Sequence, residues 1–220
     1  MEVAIRNDNV VLLRELLREK PKRLEERDKY GATPLIMAVC TPKRSLGIIK
    51  TLLDAGADIN ARNRGGFTAL HVVIWNEYFA PPAPRSEEIV ALLLDAGAAL
   101  EDEQNDYACT PLMTAVLEDL CENARLLLAR GANPNTFLSE KLSAYSAGWS
   151  LLSSAWLHPE MVQVLIEGGA NVNLRNAHGQ RVIEEVERRD AEEFNREDFD
   201  AQAAKEKSLE LLRRAQQATN

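Results

Sequence analysis

Apolar residues in this chain fall into short clusters at helical spacing, and the clusters come in pairs. Val10, Val11, Leu12, Leu13, Leu16 and Leu17 form one wide apolar face. Leu46, Ile48, Ile49, Leu52 and Leu53 form another, after a shorter cluster that starts at Pro34. Polar turns centred on glycine separate the pairs. The pattern predicts full helix pairs over 33–53, 68–94, 110–128 and 150–167, a partial pair over 1–20 and a terminal pair over 181–214. Local chemistry agrees. Pro21 follows the first outer helix, where proline commonly stops one. Thr33 can cap its helix, and Pro34 suits the first turn, where a missing N–H costs nothing. Gly56 supplies a positive φ after the second helix of its pair.

The turns repeat. Gly56-Ala57-Asp58-Ile59-Asn60 is echoed by Gly97-Ala98-Ala99-Leu100, Gly131-Ala132-Asn133-Pro134-Asn135 and Gly169-Ala170-Asn171-Val172-Asn173. A recurring opening stands before the first, Thr33-Pro34-Leu35-Ile36-Met37-Ala38, and after the first three, Thr68-Ala69-Leu70-His71-Val72-Val73, Thr110-Pro111-Leu112-Met113-Thr114-Ala115 and Ser150-Leu151-Leu152-Ser153-Ser154-Ala155; Gly179-Gln180-Arg181-Val182-Ile183 follows the last. A period of roughly 20–50 residues identifies a repeat architecture. These segments resemble the T-P-L-H-x-A signature of the ankyrin-repeat family, intact at T-P-L in the first and third copies and degenerate in the fourth. The resemblance covers nearly the whole chain. It implies an all-α solenoid of stacked helix-turn-helix pairs with finger loops, about four full repeats between N- and C-terminal capping repeats. The expected boundaries are 1–30 for the N-terminal cap, 31–66, 67–107, 108–147 and 148–178 for the repeats, 179–214 for the C-terminal cap and 215–220 for a disordered tail. The resemblance also implies local scaffold roles for His71 and for the finger asparagine Asn60.

Two departures from the period stand out. Thr68 to Gly97 spans 29 residues against 21 from Thr110 to Gly131, and the extra length is the proline-rich 78–86. Gly131 to Ser150 spans 19 against 12 from Gly56 to Thr68, so that finger is about seven residues longer and carries Phe137, Tyr145 and Trp149. Residues 190–207 are acidic and read as a solvated extension of the cap. Glu101, Asp102, Glu103 and Asp106 make the most acidic finger.

Composition narrows the function. With 45% apolar and 27% charged residues the chain is an ordinary globular sequence. The net charge of −8 argues against general nucleic-acid affinity and permits a basic partner surface. Cys40, Cys109 and Cys121 are odd in number and widely spaced, which predicts free thiols in a reducing compartment. No apolar run nears the roughly 20 residues that span a bilayer, and residues 1–6 lack the order of a signal peptide, so a cytoplasmic protein is expected. His71, His158 and His178 form no zinc or metalloprotease spacing, and no phosphate-binding glycine motif occurs. A Cys109–His71 pair lacks an activating third group. No metal, small-molecule cofactor or catalytic residue is expected.

Partner binding is what remains. In the resembled family, fingers and inner helices line a concave face, and carrying its variable positions onto this chain gives Lys29, Tyr30, Ala32, Cys40, Arg64, Phe67, Trp75, Asn76, Asp106, Tyr107, Leu117, Glu118, Trp149, Leu157, His158, His178, Gln180, Arg188 and Arg189, of which Tyr30, Arg64, Phe67, Trp75, Asn76, Asp106, Tyr107, Leu117, Glu118, Trp149, His158, His178 and Arg188 are the candidate contacts. The long finger adds Phe137 and Tyr145. The chain has only 12 Phe, Trp and Tyr residues, yet Tyr30, Phe67, Trp75, Tyr107 and Trp149 all map to these positions. Aromatics mixed with charges are an interface composition, and Trp75, Tyr107 and Trp149 are the expected anchors. The expected function is a non-catalytic module that binds another protein. Its narrower versions are a general adaptor and a bacterial inhibitor or immunity protein. The remote alternative is an enzyme built on repeats.

Overall fold

The computed structural model describes residues 1–79, 86–103, 105–142, 148–176, 178–189 and 200–219; for residues 76–79 it describes the backbone. Residues 80–85 of the inserted segment 78–86, Tyr145 and residues 190–199 of the acidic stretch 190–207 therefore lie outside the described residues. The chain forms two compact units, Met1–Asp106 and Tyr107–Asn220.

The first unit holds α1 (Glu2–Arg6), α2 (Val10–Glu19), a 3-10 turn (Pro21–Glu25), α3 (Pro34–Cys40), α4 (Leu46–Asp54), α5 (Ala69–Phe79) and α6 (Ser86–Asp95). Consecutive helices pair as α1–α2, α3–α4 and α5–α6. The inner helices α1, α3 and α5 pack in sequence, and α2 packs on α4. Their shared core is aliphatic, with Ile5, Leu13, Leu35, Ile36, Ile48, Ile49, Leu52, Leu70, Ile74, Ile89 and Leu93 fully buried. This is the strip of core between neighbours that stabilises a repeat fold. The Thr33 hydroxyl accepts from the Ile36 N–H at 3.4 Å with Pro34 beside it, as the sequence predicts. At the other end of the repeat Gly56 has φ +87°, and the Ala57 N–H closes the turn onto the Leu52 carbonyl at 3.1 Å.

The second unit holds α7 (Pro111–Leu117), α8 (Cys121–Ala129), α9 (Leu151–Ser154), α10 (Pro159–Glu167), α11 (Val182–Glu187) and α12 (Ala201–Ala218). It repeats the logic: α7, α9 and α11 follow one another as inner helices, and α8, α10 and α12 as outer ones. The short α9 has a local cause. Ser153 and Ser154 turn their hydroxyls back onto the carbonyls of Ser150 and Leu151, at 2.9 and 2.7 Å, and Pro159 then starts α10. The last helix runs to Ala218, past residue 215, where the sequence reading begins a disordered tail. Its end is tied back: Gln216 Nε2 donates to Asn173 Oδ1 at 2.9 Å.

Candidate partner-binding surface

Three of the fingers are each built by one side chain. The carboxylate oxygen Asp28 Oδ1 accepts from the N–H groups of Tyr30 and Ala32, both at 2.8 Å. Asn63 Oδ1 does the same for Gly65 and Phe67, both at 3.0 Å, and Asn176 Oδ1 for His178 and Gln180, at 2.9 and 3.0 Å. In each finger the Asp or Asn N–H also donates to the carbonyl four residues on, at 2.9–3.0 Å. The tip is thereby rigid before any partner arrives. Sequence reasoning centred on the glycines missed these capping residues. Their signal was an Asp or Asn three places before the glycines Gly31, Gly66 and Gly179, at Asp28, Asn63 and Asn176. Neighbouring fingers are stitched by a second asparagine set: Asn60 Oδ1 accepts from the Ala99 N–H at 2.9 Å, and Asn135 Oδ1 from Asn171 at 2.7 Å. Asn60 thus plays the scaffold role expected of it.

In the first unit the predicted residues divide. Tyr30 stands at a finger tip, 63% exposed, with Lys29 Nζ 4.9 Å from its ring centre. Arg64 is exposed beside it, its N–H donating to the Tyr30 carbonyl at 3.0 Å. Asp106 is also exposed. Phe67 and Trp75 depart from expectation. They are half-buried and meet edge to face at 5.4 Å, and Phe67 also meets the ring of His71 at 6.0 Å. Trp75 therefore stands against Phe67 and is only partly exposed. Asn76 lies on α5, and its side chain is outside the described residues.

Beneath them His71 is fully buried. Its Nδ1 lies 2.9 Å from the Thr68 hydroxyl and its Nε2 3.0 Å from the Asp102 carbonyl, so the ring holds the helix start against the next finger. The acidic finger is also tied inward: the Asp102 side chain is 2% exposed and pairs with Arg62 at 2.8 Å. Asp102 is a structural counter-charge and not a free docking carboxylate.

In the second unit Tyr107, Leu117 and Phe137 are 39%, 42% and 39% exposed. The long finger is an antiparallel hairpin at its base. Phe137 bridges Ser150, and the N–H groups of Leu138 and Leu151 donate to the carbonyls of Trp149 and Thr136, at 2.8 and 2.9 Å. Ser139 Oγ bonds the Tyr107 carbonyl at 2.9 Å, which brings this finger to Tyr107. Trp149, the third expected anchor, is covered. The Arg189 guanidinium lies 3.5 Å over its ring and 5.3 Å from Trp156, while Arg189 donates to the Ser153 carbonyl at 2.6 Å.

The remaining predicted residues of this unit stand as follows. His158 is half-buried, its Nδ1 2.8 Å from Asp119 Oδ2. Burial pushes the Glu118 carboxyl above its usual range. His178 and Arg188 are exposed on the last finger and at the end of α11.

The thiols show no nucleophile arrangement. Cys109 is buried against the Thr110 carbonyl and the Thr114 hydroxyl. The Cys121 thiol is pushed up to about 11, first by burial, then by the charges of Asp119, Glu160 and Glu122 against the lowering effect of Arg125. Such a thiol stays protonated and inert at neutral pH. Among the described residues no group of His, Cys, Asp and Glu is placed to hold a metal ion, and no helix is long and apolar enough to cross a membrane.

Comparison with known proteins agrees with this architecture. The family profile for ankyrin repeats (3 copies) matches residues 1–63, and that for a single ankyrin repeat matches residues 108–137. The B-cell lymphoma 3 protein homolog of Mus musculus is 31% identical over 155 residues, covering 69% of this chain and 31% of the relative's length. The chain thus spans under a third of that relative. An ankyrin repeat domain from Acinetobacter baumannii aligns over 98% of this chain and 96% of its own, with TM-score 0.74 and 23% identity. A chain of the solved complex between a predatory endopeptidase of Bdellovibrio bacteriovorus and an immunity protein aligns over 97% of this chain and 96% of its own, with TM-score 0.63 and 21% identity. At these identities both structures speak to the fold.

Proposed function

This chain belongs to the ankyrin-repeat family, whose repeats are protein-protein interaction modules, and on that premise we propose that it binds a partner protein through finger tips and inner-helix ends, without catalysing a reaction. One observation carries the reading. Of the six large apolar or aromatic side chains that stand exposed among the described residues, four are positions chosen from the sequence as partner contacts: Tyr30, Tyr107, Leu117 and Phe137. Rigid, exposed aromatics are what interfaces use as anchors, because their burial is large and little entropy is lost in fixing them. The other two, Val3 and Val11, sit on α1 and α2. The free thiols support a reducing compartment such as the cytoplasm.

A narrower form of the reading makes the chain an inhibitor that occupies an enzyme. The solved endopeptidase–immunity protein complex is the precedent for the fold in such a setting. Capture from the source lysate tests both. The native protein should retain a partner that the combined Tyr30→Ala, Tyr107→Ala, Leu117→Ala and Phe137→Ala variant loses, with the two unfolding at the same temperature. A captured enzyme that is silenced in the complex selects the inhibitor form, and one that keeps its activity removes it. Equal retention by the variant overturns the proposal.

A further inference from the structure

We infer that the edge of the second unit formed by the α7–α8 and α9–α10 turns docks a basic segment of a partner protein, with one apolar side chain of that segment lying against Leu117. The inference rests on the protein-binding reading above and names the place and the chemistry of the contact. The two turns are neighbours: His158 Nδ1, just before α10, lies 2.8 Å from Asp119 Oδ2, in the turn that leads into α8. Their apolar surface comes from the ends of the inner helices. Leu112, Met113, Ala115 and Val116 of α7 are buried, whereas Leu117, the last residue of that helix, is 42% exposed. Leu157 holds the same place one repeat on, seven residues after Ser150 as Leu117 is seven after Thr110. Leu157 and Leu120 are half-buried. Covering such side chains removes apolar surface from water, which favours a partner that brings an apolar group.

Charge selects the segment. Residues 117–125 and 157–167 carry five carboxylates, Glu118, Asp119, Glu122, Glu160 and Glu167, against one Arg, Arg125, and no Lys. Arg125 is shared among three of them, at 3.6 Å from Glu122, 3.6 Å from Glu160 and 3.2 Å from Glu167. Glu118, next to Leu117 and half-buried, has no ion-pair partner among the described residues, and burial alone pushes its carboxyl up. Burial first, and then the charges of Asp119, Glu160 and Glu122, push the Cys121 thiol up to about 11, so these carboxylates converge on one spot. A carboxylate partly withdrawn from water without a counter-charge is stabilised by an arriving Lys or Arg. Among the described residues no group of His, Cys, Asp and Glu is placed to hold a metal ion, so the cations that fit here are side chains of a polypeptide. An apolar spot ringed by uncompensated carboxylates is complementary to an apolar residue flanked by Lys or Arg.

Short fluorescein-labelled peptides test this by fluorescence polarisation. One set places a Leu between Lys residues, and matched sets place it between Glu or Ser residues. The Lys-flanked peptide should bind about tenfold more tightly than the Glu-flanked one, and more weakly as salt rises. Leu117→Ser should weaken the Lys-flanked peptide about tenfold. Glu118→Gln, Glu122→Gln and Glu160→Gln combined, all at exposed or half-buried positions, should remove the preference for Lys flanks. Tyr30→Ala, in the first unit, should leave peptide binding unchanged. Equal binding of Glu- or Ser-flanked peptides, a preference that survives the triple Gln variant, or no binding of any peptide overturns the inference. A concentration-dependent dimer that Leu117→Ser dissolves also overturns it, since the occupant is then a second copy of the chain. The triple Gln variant separates the inference from the broader reading: if that variant still captures the lysate partner, this edge fails as the docking site while protein binding stands.

Discussion

Ala108 holds φ at +48° in the finger position where Gly31, Gly66, Gly148 and Gly179 stand in the others. A Cβ is disfavoured in this left-handed region, so Ala108→Gly should raise stability by about 0.5 kcal/mol in urea unfolding, after glycine's extra unfolded-state entropy is deducted. Glu118 supplies a pH signature. Its carboxyl is raised in the folded state, so the folded protein binds its proton more tightly than the unfolded chain does. That contribution is fully present below the unfolded value and is lost as pH rises through the folded one. Glu118→Gln should therefore be more stable than the native protein at neutral pH and lose this advantage below about pH 4. A constant difference across the range would contradict the assignment. Single residues were legible in the sequence where they answer a local constraint. Thr33, Pro34 and Gly56 each serve a backbone need within a few positions. Trp149 was not, because the group that covers it, Arg189, lies forty residues downstream. Position in the repeat says from which face a side chain leaves, not what arrives to cover it.

At the scale of elements, Arg189 links α11 to the long finger. It stacks on Trp149 and bonds the Ser153 carbonyl, so the finger base is clamped from both sides. Arg189→Ala should cost about 1–2 kcal/mol, change tryptophan fluorescence and speed hydrogen exchange at the Leu138 N–H. Arg189→Lys should rescue little, since an ammonium cannot stack as a planar guanidinium does. Unchanged exchange at Leu138 would mean that the hairpin holds itself. The helix pairs were legible as elements because capping residues and apolar spacing agree at several starts, among them Thr33, Thr110 and Ser150. The reach of α12 was not: its last turn is polar, and it persists through the bond of Gln216 to Asn173, 43 residues away.

For the whole molecule, the net charge of −8 permitted a basic partner, and that average conceals a basic first fifty residues. Fold class was legible because the same turn had to recur at every repeat. The surface was only half legible: Tyr30, Tyr107, Leu117 and Phe137 remain exposed, while Phe67, Trp75 and Trp149 are drawn into internal contacts. The central claim is that those four residues face the partner. Its most direct test is photo-crosslinking, with benzoylphenylalanine placed singly at positions 30, 107, 117 and 137 and, as control, at Val11 on α2. The account predicts adducts with one partner from the four finger and inner-helix positions and none from Val11. Adducts from Val11 alone, or equally from all five, would contradict it.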